Sequence, residues 1–433
     1  MKTNLLQKIF LGVALAVLTV SCLARPTPEN KPSQDDLSPV PTLALTPAHF
    51  PTGPASPVSA TQTSFPRTNV RIEQTCNLIE SPGLPFAQSS IVLFDANNNV
   101  SLLNLKTGSR ISLGQIVILS GALSNGQELA YIDANSHKVI VVNPDGDERV
   151  SIPAADNWFE ILDWLDNDNI LVGSMPLTNA GTWYPPSDTI VLNLSSAAQT
   201  EIRPNYPNIY NYAMNAPHFD RYGYSITAYD PTLSYVVYPS STNRDEGIVL
   251  WDIKNNRQVA QLGAFYPWNA PAWNYGGASF VISLQPKYTS SDGKLIYKNT
   301  TEEFPYVGGS ELFNVDIDGK ISRLTYLTTR YMAEEQSYVW SEDNKFIAFW
   351  LKNENNEWDL ATLDVETGEI RAYCVGDEYG SYSIFWSPDG NQLISTIENS
   401  DGERRFVFID FLENHTILVP NAEIVIGWLT NER

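Results

Sequence analysis

The chain has 433 residues, of which 43% are hydrophobic and 18% charged, with a formal net charge of −22. That acidity excludes nucleic acid and anionic membrane surfaces as electrostatic partners, because both are bound through Lys and Arg. Aromatic residues make up 11%, with 11 Trp and 21 Tyr, a composition that suits strands and recognition surfaces better than helices.

Lys2 and Lys8 precede or flank an apolar run, Ile9 to Val20. A membrane-spanning helix needs about 20 apolar residues, so the run is expected to be the core of a signal peptide covering residues 1–21. It ends in Leu18-Thr19-Val20-Ser21-Cys22, which resembles the lipobox of bacterial lipoproteins, with Thr19 departing from the usual Leu. The resemblance implies a lipid on Cys22, an exported protein in the cell envelope, and membrane contact through that lipid alone. Removing residues 1–21 takes away two lysines and no acid, so the mature chain is more acidic still.

Residues 22–68 are expected to be a disordered tether. Between 24 and 68 lie ten of the chain's 28 prolines, many Ser and Thr, and neither Trp nor Tyr. Such a segment cannot bury enough apolar surface to offset its ordering entropy, and its prolines keep it extended. Two further cysteines, Cys76 and Cys374, are in an exported chain either a disulfide or two buried thiols; spacing does not decide between them.

Residues 69–433 form the folded domain. From about residue 86 short β-rich runs alternate with Gly, Asn and Asp turns, and no long segment has helical periodicity. The runs repeat. Phe385-Trp386-Ser387-Pro388-Asp389-Gly390 and Val339-Trp340-Ser341-Glu342-Asp343-Asn344 each read as strand, tight turn, strand. A third strand then ends near an Asp, as in Ala361-Thr362-Leu363-Asp364, and Glu366-Thr367-Gly368-Glu369 turns into a fourth. Starts fall at 123, 164, 229, 273, 340, 386 and 428, spaced by one period of about 41–46 residues or by one period plus an insertion.

This period predicts an all-β fold, a single β-propeller of about seven four-stranded blades. The last start, Ile426-Gly427-Trp428-Leu429, has no strands after it, and Ile91-Val92-Leu93-Phe94 has no start before it. The two halves are expected to complete one blade, so that the C-terminal strand closes the ring and removes the open edge. The Trp-Ser-Pro-Asp-Gly turn resembles the TolB-type propeller repeat family. The resemblance implies the fold and leaves function open, because propellers host both enzymes and binding modules.

Insertions at 174–188, 203–224, 263–272 and 285–309 map to the rim that carries the second-to-third and blade-to-blade loops. They are rich in aromatics: Trp183, Tyr184, Tyr206, Tyr210, Tyr212, Phe265, Tyr266 and Trp268 are the candidate ligand face. Tyr and Trp offer large, rigid contacts with a polar tip, which suits peptides and sugars, and they also serve to pack loops together. No Gly-x-Ser-x-Gly elbow, His-Glu-x-x-His or phosphate-binding Gly loop occurs, so no catalytic residue, metal or cofactor is expected. His218, beside Asp220 and Arg221, is read as a surface residue, and the Asp-rich strings at 143–147 and 163–168 as turns. The expected function is a lipid-anchored binding module for an envelope protein, peptide or glycan. The alternative is a propeller enzyme acting on polysaccharide, as lyase or hydrolase, against which the scarcity of histidine and the acidic chain both count.

Overall fold

The computed structural model describes residues 72–80, 89–116, 121–174, 188–202, 228–239, 248–262, 271–284, 288–289, 295–296, 311–325, 327, 331–353, 357–375, 379–380, 383–399 and 401–430. The chain divides into two units, residues 1–56 and 57–433, and every described residue belongs to the second. Among the described residues there is no α-helix.

Among the described residues seven of eight sheets are the blades of the ring, and the eighth is a short hairpin, Tyr288–Thr289 with Leu295–Ile296, between the second and third strands of blade 4. The blade strands are lettered A to D from the ring axis outward. Blade 1 is Ala122–Ser124, Leu129–Asp133, Lys138–Val142 and Glu148–Pro153; blade 2 is Trp158–Asp166, Asn169–Ser174, Asp188–Asn193 and Gln199–Ile202. Blade 3 is Ala228–Tyr229, Tyr235–Pro239, Ile248–Asp252 and Arg257–Leu262; blade 4 is Ala272–Trp273, Ser279–Leu284, Glu311–Asp316 and Ile321–Arg323. Blade 5 is Tyr331–Trp340, Phe346–Asn353, Trp358–Asp364 and Ile370–Cys374; blade 6 is Phe385–Trp386, Gln392–Glu398, Arg404–Asp410 and His415–Pro420. Blade 7 takes its inner strand, Ile424–Thr430, from the C-terminal end of the described chain and its other three, Ser89–Phe94, Asn99–Asn104 and Arg110–Gln115, from the N-terminal side. Trp428 stands opposite Ile91 in that ladder. The seven blades and the closing strand agree with the repeat spacing.

A blade is buried on both faces, so its middle strands are apolar throughout rather than alternating. Ile347, Ala348, Phe349, Trp350 and Leu351 are all fully buried. The core is seven clusters, one between each adjacent pair of blades. Ile282 and Phe313 of blade 4 pack on Val237 and Leu250 of blade 3, and Val92 and Leu102 of blade 7 pack on Leu129 and Tyr131 of blade 1. The repeated Trp supplies polar specificity to this greasy seam. Each of Trp164, Trp273, Trp340 and Trp386 donates its indole N–H to a carbonyl on the inner strand of the preceding blade: Leu123, Ala228, Ala272 and Val339, at 2.9–3.3 Å. In blade 3, Tyr229 replaces the Trp and directs its hydroxyl to Thr189 of blade 2.

One feature has no counterpart in the repeats. Ile72–Thr75 adds a fifth strand, parallel, to the outer edge of blade 5, pairing with Ile370–Tyr373. Leu78–Glu80 adds another, also parallel, to Thr416–Leu418 of blade 6. Residues 72–80 thus form a strap along the outer rim of two blades, and a disulfide joins Cys76 between its strands to Cys374 of blade 5, with the Cα atoms 4.9 Å apart.

Candidate binding face

Strand direction alternates within a blade, so the A–B and C–D turns emerge on one face of the ring and the B–C and D–A connections on the other. The first is a face of tight turns. In blade 6 the Ser387 hydroxyl donates to Asp389 (2.6 Å) and accepts the Gln392 N–H (2.9 Å), while Gly390 takes a left-handed φ of 72°. Ser341, Asp343 and Phe346 repeat the arrangement in blade 5. The 143–147 string forms such a turn, with Asn143 accepting the amides of Asp145 and Asp147.

The opposite face is asymmetric. In blades 7, 1 and 6 its B–C connections are tight turns capped by Asp95, Asp133 and Asn399. In blades 2, 3 and 4 the ladder ends at directly opposed pairs, Ser174 and Asp188, Pro239 and Ile248, Leu284 and Glu311. Two residues suffice to connect such a pair, yet each pair brackets a longer connection. Ile202 and Ala228, and Leu262 and Ala272, bracket two more on the D–A side. Five connections therefore leave one face of the ring over blades 2 to 4; those spanning 175–187, 203–227 and 285–310 are the long ones, whereas 240–247 and 263–271 are no longer than 375–384 between blades 5 and 6. The eight predicted aromatics, Trp183 to Trp268, fall within three of these five connections and lie outside the described residues, as do His218 and Cys22.

A buried acid sits at the base of this arc. Glu311, 1% exposed, begins strand C of blade 4 at the end of the longest B–C segment. Its carboxylate accepts from Arg323 Nη2 (2.6 Å), Thr325 Oγ1 (2.5 Å) and the Leu327 amide (3.0 Å). It thereby ties the start of strand C to the connection into blade 5. Burial pushes the Glu311 carboxyl up to about 7, opposed by the Arg323 charge and the hydrogen bonds. Nothing in the repeats announces Glu311; its partners become visible only when strands C and D pair.

A second acidic group gathers where the A–B turns of neighbouring blades approach one another. Asp163 lies in the inner strand of blade 2, not in the turn the sequence suggested; the turn is capped by Asp166. Burial pushes Asp163 up to about 7, with its own neighbour's amide, Trp164, opposing and the Asp230 charge of blade 3 adding. Tyr275 of blade 4 is raised by local desolvation first, then by the charges of Glu342 and Asp163, although the residue as a whole is exposed. Its amide donates to Asn344 of blade 5 (2.9 Å). Among the described residues no group of three His, Cys, Asp or Glu is placed to hold a metal ion. His137, in the B–C turn of blade 1, and His415, on the outer strand of blade 6, occupy separate blades.

No protein-family model matches the sequence, and no curated protein matches it. Among solved structures the chain is similar to TolB from Acinetobacter baumannii, at 13% identity over 78% of this chain and 81% of that one, with a TM-score of 0.43. It is also similar to hydrazine synthase of Kuenenia stuttgartiensis (13% identity, 83% and 99% covered, TM-score 0.44). A third is the acylaminoacyl peptidase of Pyrococcus horikoshii, with 14% identity and a TM-score of 0.48; 79% of this chain matches 51% of that one. These likenesses concern fold alone.

Proposed function

We propose that the protein is a lipid-anchored, extracytoplasmic binding module whose ligand face is the arc of connections over blades 2 to 4. The observation that carries this reading is an asymmetry of the ring: five connections leave one face over blades 2 to 4, and three of them join opposed strand ends that need only short turns. Their aromatic content supplies rigid, amphipathic contacts for an envelope protein, peptide or glycan. The lipid on Cys22 holds the chain at a membrane and residues 22–68 give it reach.

The test is recovery of a partner from native envelope extract by the full chain. It is compared with a variant carrying Trp183→Ala, Tyr210→Ala and Trp268→Ala and with a control altered on the turn face at Lys106 and Glu366. The reading expects a component retained by the parent and the control and lost by the aromatic variant at an unchanged melting temperature. Equal recovery by all three contradicts it.

A further inference from the structure

We infer that Cys76–Cys374 is a redox latch, and that its reduction releases the strap of residues 72–80 from the rim of blades 5 and 6 while the ring stays folded. The strap is poorly held by anything else. Of its nine residues only Ile72 and Thr75 are even half-buried, and Leu78 and Ile79 are 43% and 41% exposed. Ile72 alone reaches the core cluster between blades 4 and 5. Among the described residues the other contacts are two short parallel ladders, the Thr416 amide donating to the Asn77 carbonyl (2.9 Å), a long bond from Asn77 Nδ2 to the Asn414 carbonyl (3.5 Å), a Gln74–Asp359 hydrogen bond and an exposed Glu73–Arg371 pair at 3.7 Å. Ordering a residue costs more than one solvated peptide hydrogen bond returns, and exposed ion pairs add little. The covalent link changes the balance, because it holds Cys76 at Cys374 and makes docking of the flanking strands intramolecular.

The ring, by contrast, does not depend on the strap. It closes through Ile424–Thr430 on Ser89–Phe94, and the seven inter-blade clusters draw their fully buried residues from the blades and their connections, none from the strap. Cys76 is exposed and Cys374 half-buried, so a dithiol can reach the bond. One thiolate of the dithiol attacks Cys76 Sγ, the S–S bond breaks and Cys374 leaves as a thiolate. The second thiolate then displaces Cys76 and closes the reductant's own disulfide. Two electrons pass to the protein and two protons complete its thiols. The released state exposes the outer edges of Ile370–Cys374 and His415–Pro420 to another strand and adds the strap to the chain that precedes it.

Hydrogen exchange of the folded full-length protein, with and without dithiothreitol, tests this. The expected result is that exchange in residues 72–80 speeds up by about tenfold or more on reduction, while Phe346–Asn353 and Gln392–Glu398 stay protected within about twofold. Cys76→Ser gives the same pattern without reductant. The inference is overturned if residues 72–80 keep their protection after the bond is shown to be reduced, or if the blade strands lose protection in step with the strap.

Discussion

The indole N–H of Trp340 in blade 5 donates to the carbonyl of Ala272 in blade 4, 3.0 Å away, whereas the indole N–H of Trp428 in blade 7 is buried with no acceptor among the described residues. Both rings are nearly inaccessible, at 4% and 2% exposure. The repeat therefore uses one residue type in two ways, as a polar clasp between blades and as plain filler at the closing seam. That seam is fastened elsewhere: Thr396 of blade 6 accepts the Val425 amide and donates to the Glu423 carbonyl, both at 2.9 Å, and Arg110 grips Glu423 with two bonds.

This difference predicts unequal costs for the same substitution. Trp340→Phe removes a satisfied donor, strands the Ala272 carbonyl and leaves a void, for about 2–4 kcal/mol of destabilisation. Trp428→Phe also leaves a void but relieves an unsatisfied donor, so its cost is smaller by ~1 kcal/mol or more. Urea unfolding midpoints of the two variants measure the difference; equal midpoints would refute the clasp.

Glycine substitutions separate backbone strain from crowding. Gly319 in blade 4 has φ of 81°, and a Cβ there would lie 2.6 Å from Ala260 Cβ of blade 3; Gly368 has φ of 74° and open space. Gly368→Ala is expected to cost ~1 kcal/mol through strain alone, and Gly319→Ala about 1–3 kcal/mol more because a blade interface must shift. Thermal melts showing the reverse order would place the interface elsewhere.

Stability has a predictable pH dependence. Asp163 and Glu311 are pushed up to about 7 and Asp359 to about 6, in each case chiefly by burial. Between about pH 4 and 7 the folded chain therefore holds protons that the unfolded chain has released, so unfolding becomes easier as pH rises through that window. Self-repulsion of a chain carrying −22 acts in the same direction. Asp95, Asp166 and Asp343, held low by hydrogen bonds, contribute stability that is lost only as pH falls below about 4. The melting temperature should peak near pH ~4 and fall toward pH ~7, with Asp163→Asn flattening the alkaline side. A flat or rising profile over that range would contradict the burial of these acids.

The anchoring proposal makes its own prediction. Cys22→Ala should move the protein from the membrane fraction to the soluble fraction on envelope fractionation; unchanged partitioning would rule out the lipid at that residue.

The ring was legible in the sequence because its units repeat. Trp386-Ser387-Pro388-Asp389-Gly390 announces a turn whose hydrogen bonds are local, and the spacing of the seven repeat starts, five of them Trp, counts the blades. The strap was not legible. Ile72–Thr75 has no counterpart in the repeats and pairs with a strand far along the chain, Cys76 and Cys374 being 298 residues apart. Asp163 looked like turn chemistry because it stands among other acids, whereas the inner strand of blade 2 runs on to Asp166 and carries Asp163 into a half-buried position within the strand. Glu311 is invisible for the opposite reason: a lone Glu acquires meaning only from Arg323 and Thr325 on the neighbouring strand and its exit.

The most direct measurement of the binding proposal is site-specific photo-crosslinking in the native envelope. A benzophenone side chain is placed at Tyr210 or Trp268, on the connections over blades 2 to 4, and at Lys106 or Glu366, exposed in the C–D turns of blades 7 and 5. A discrete adduct is expected from the first pair and none from the second. Adducts from Lys106 and Glu366 with none from Tyr210 or Trp268 would move the binding surface to the other face of the ring and contradict the proposal.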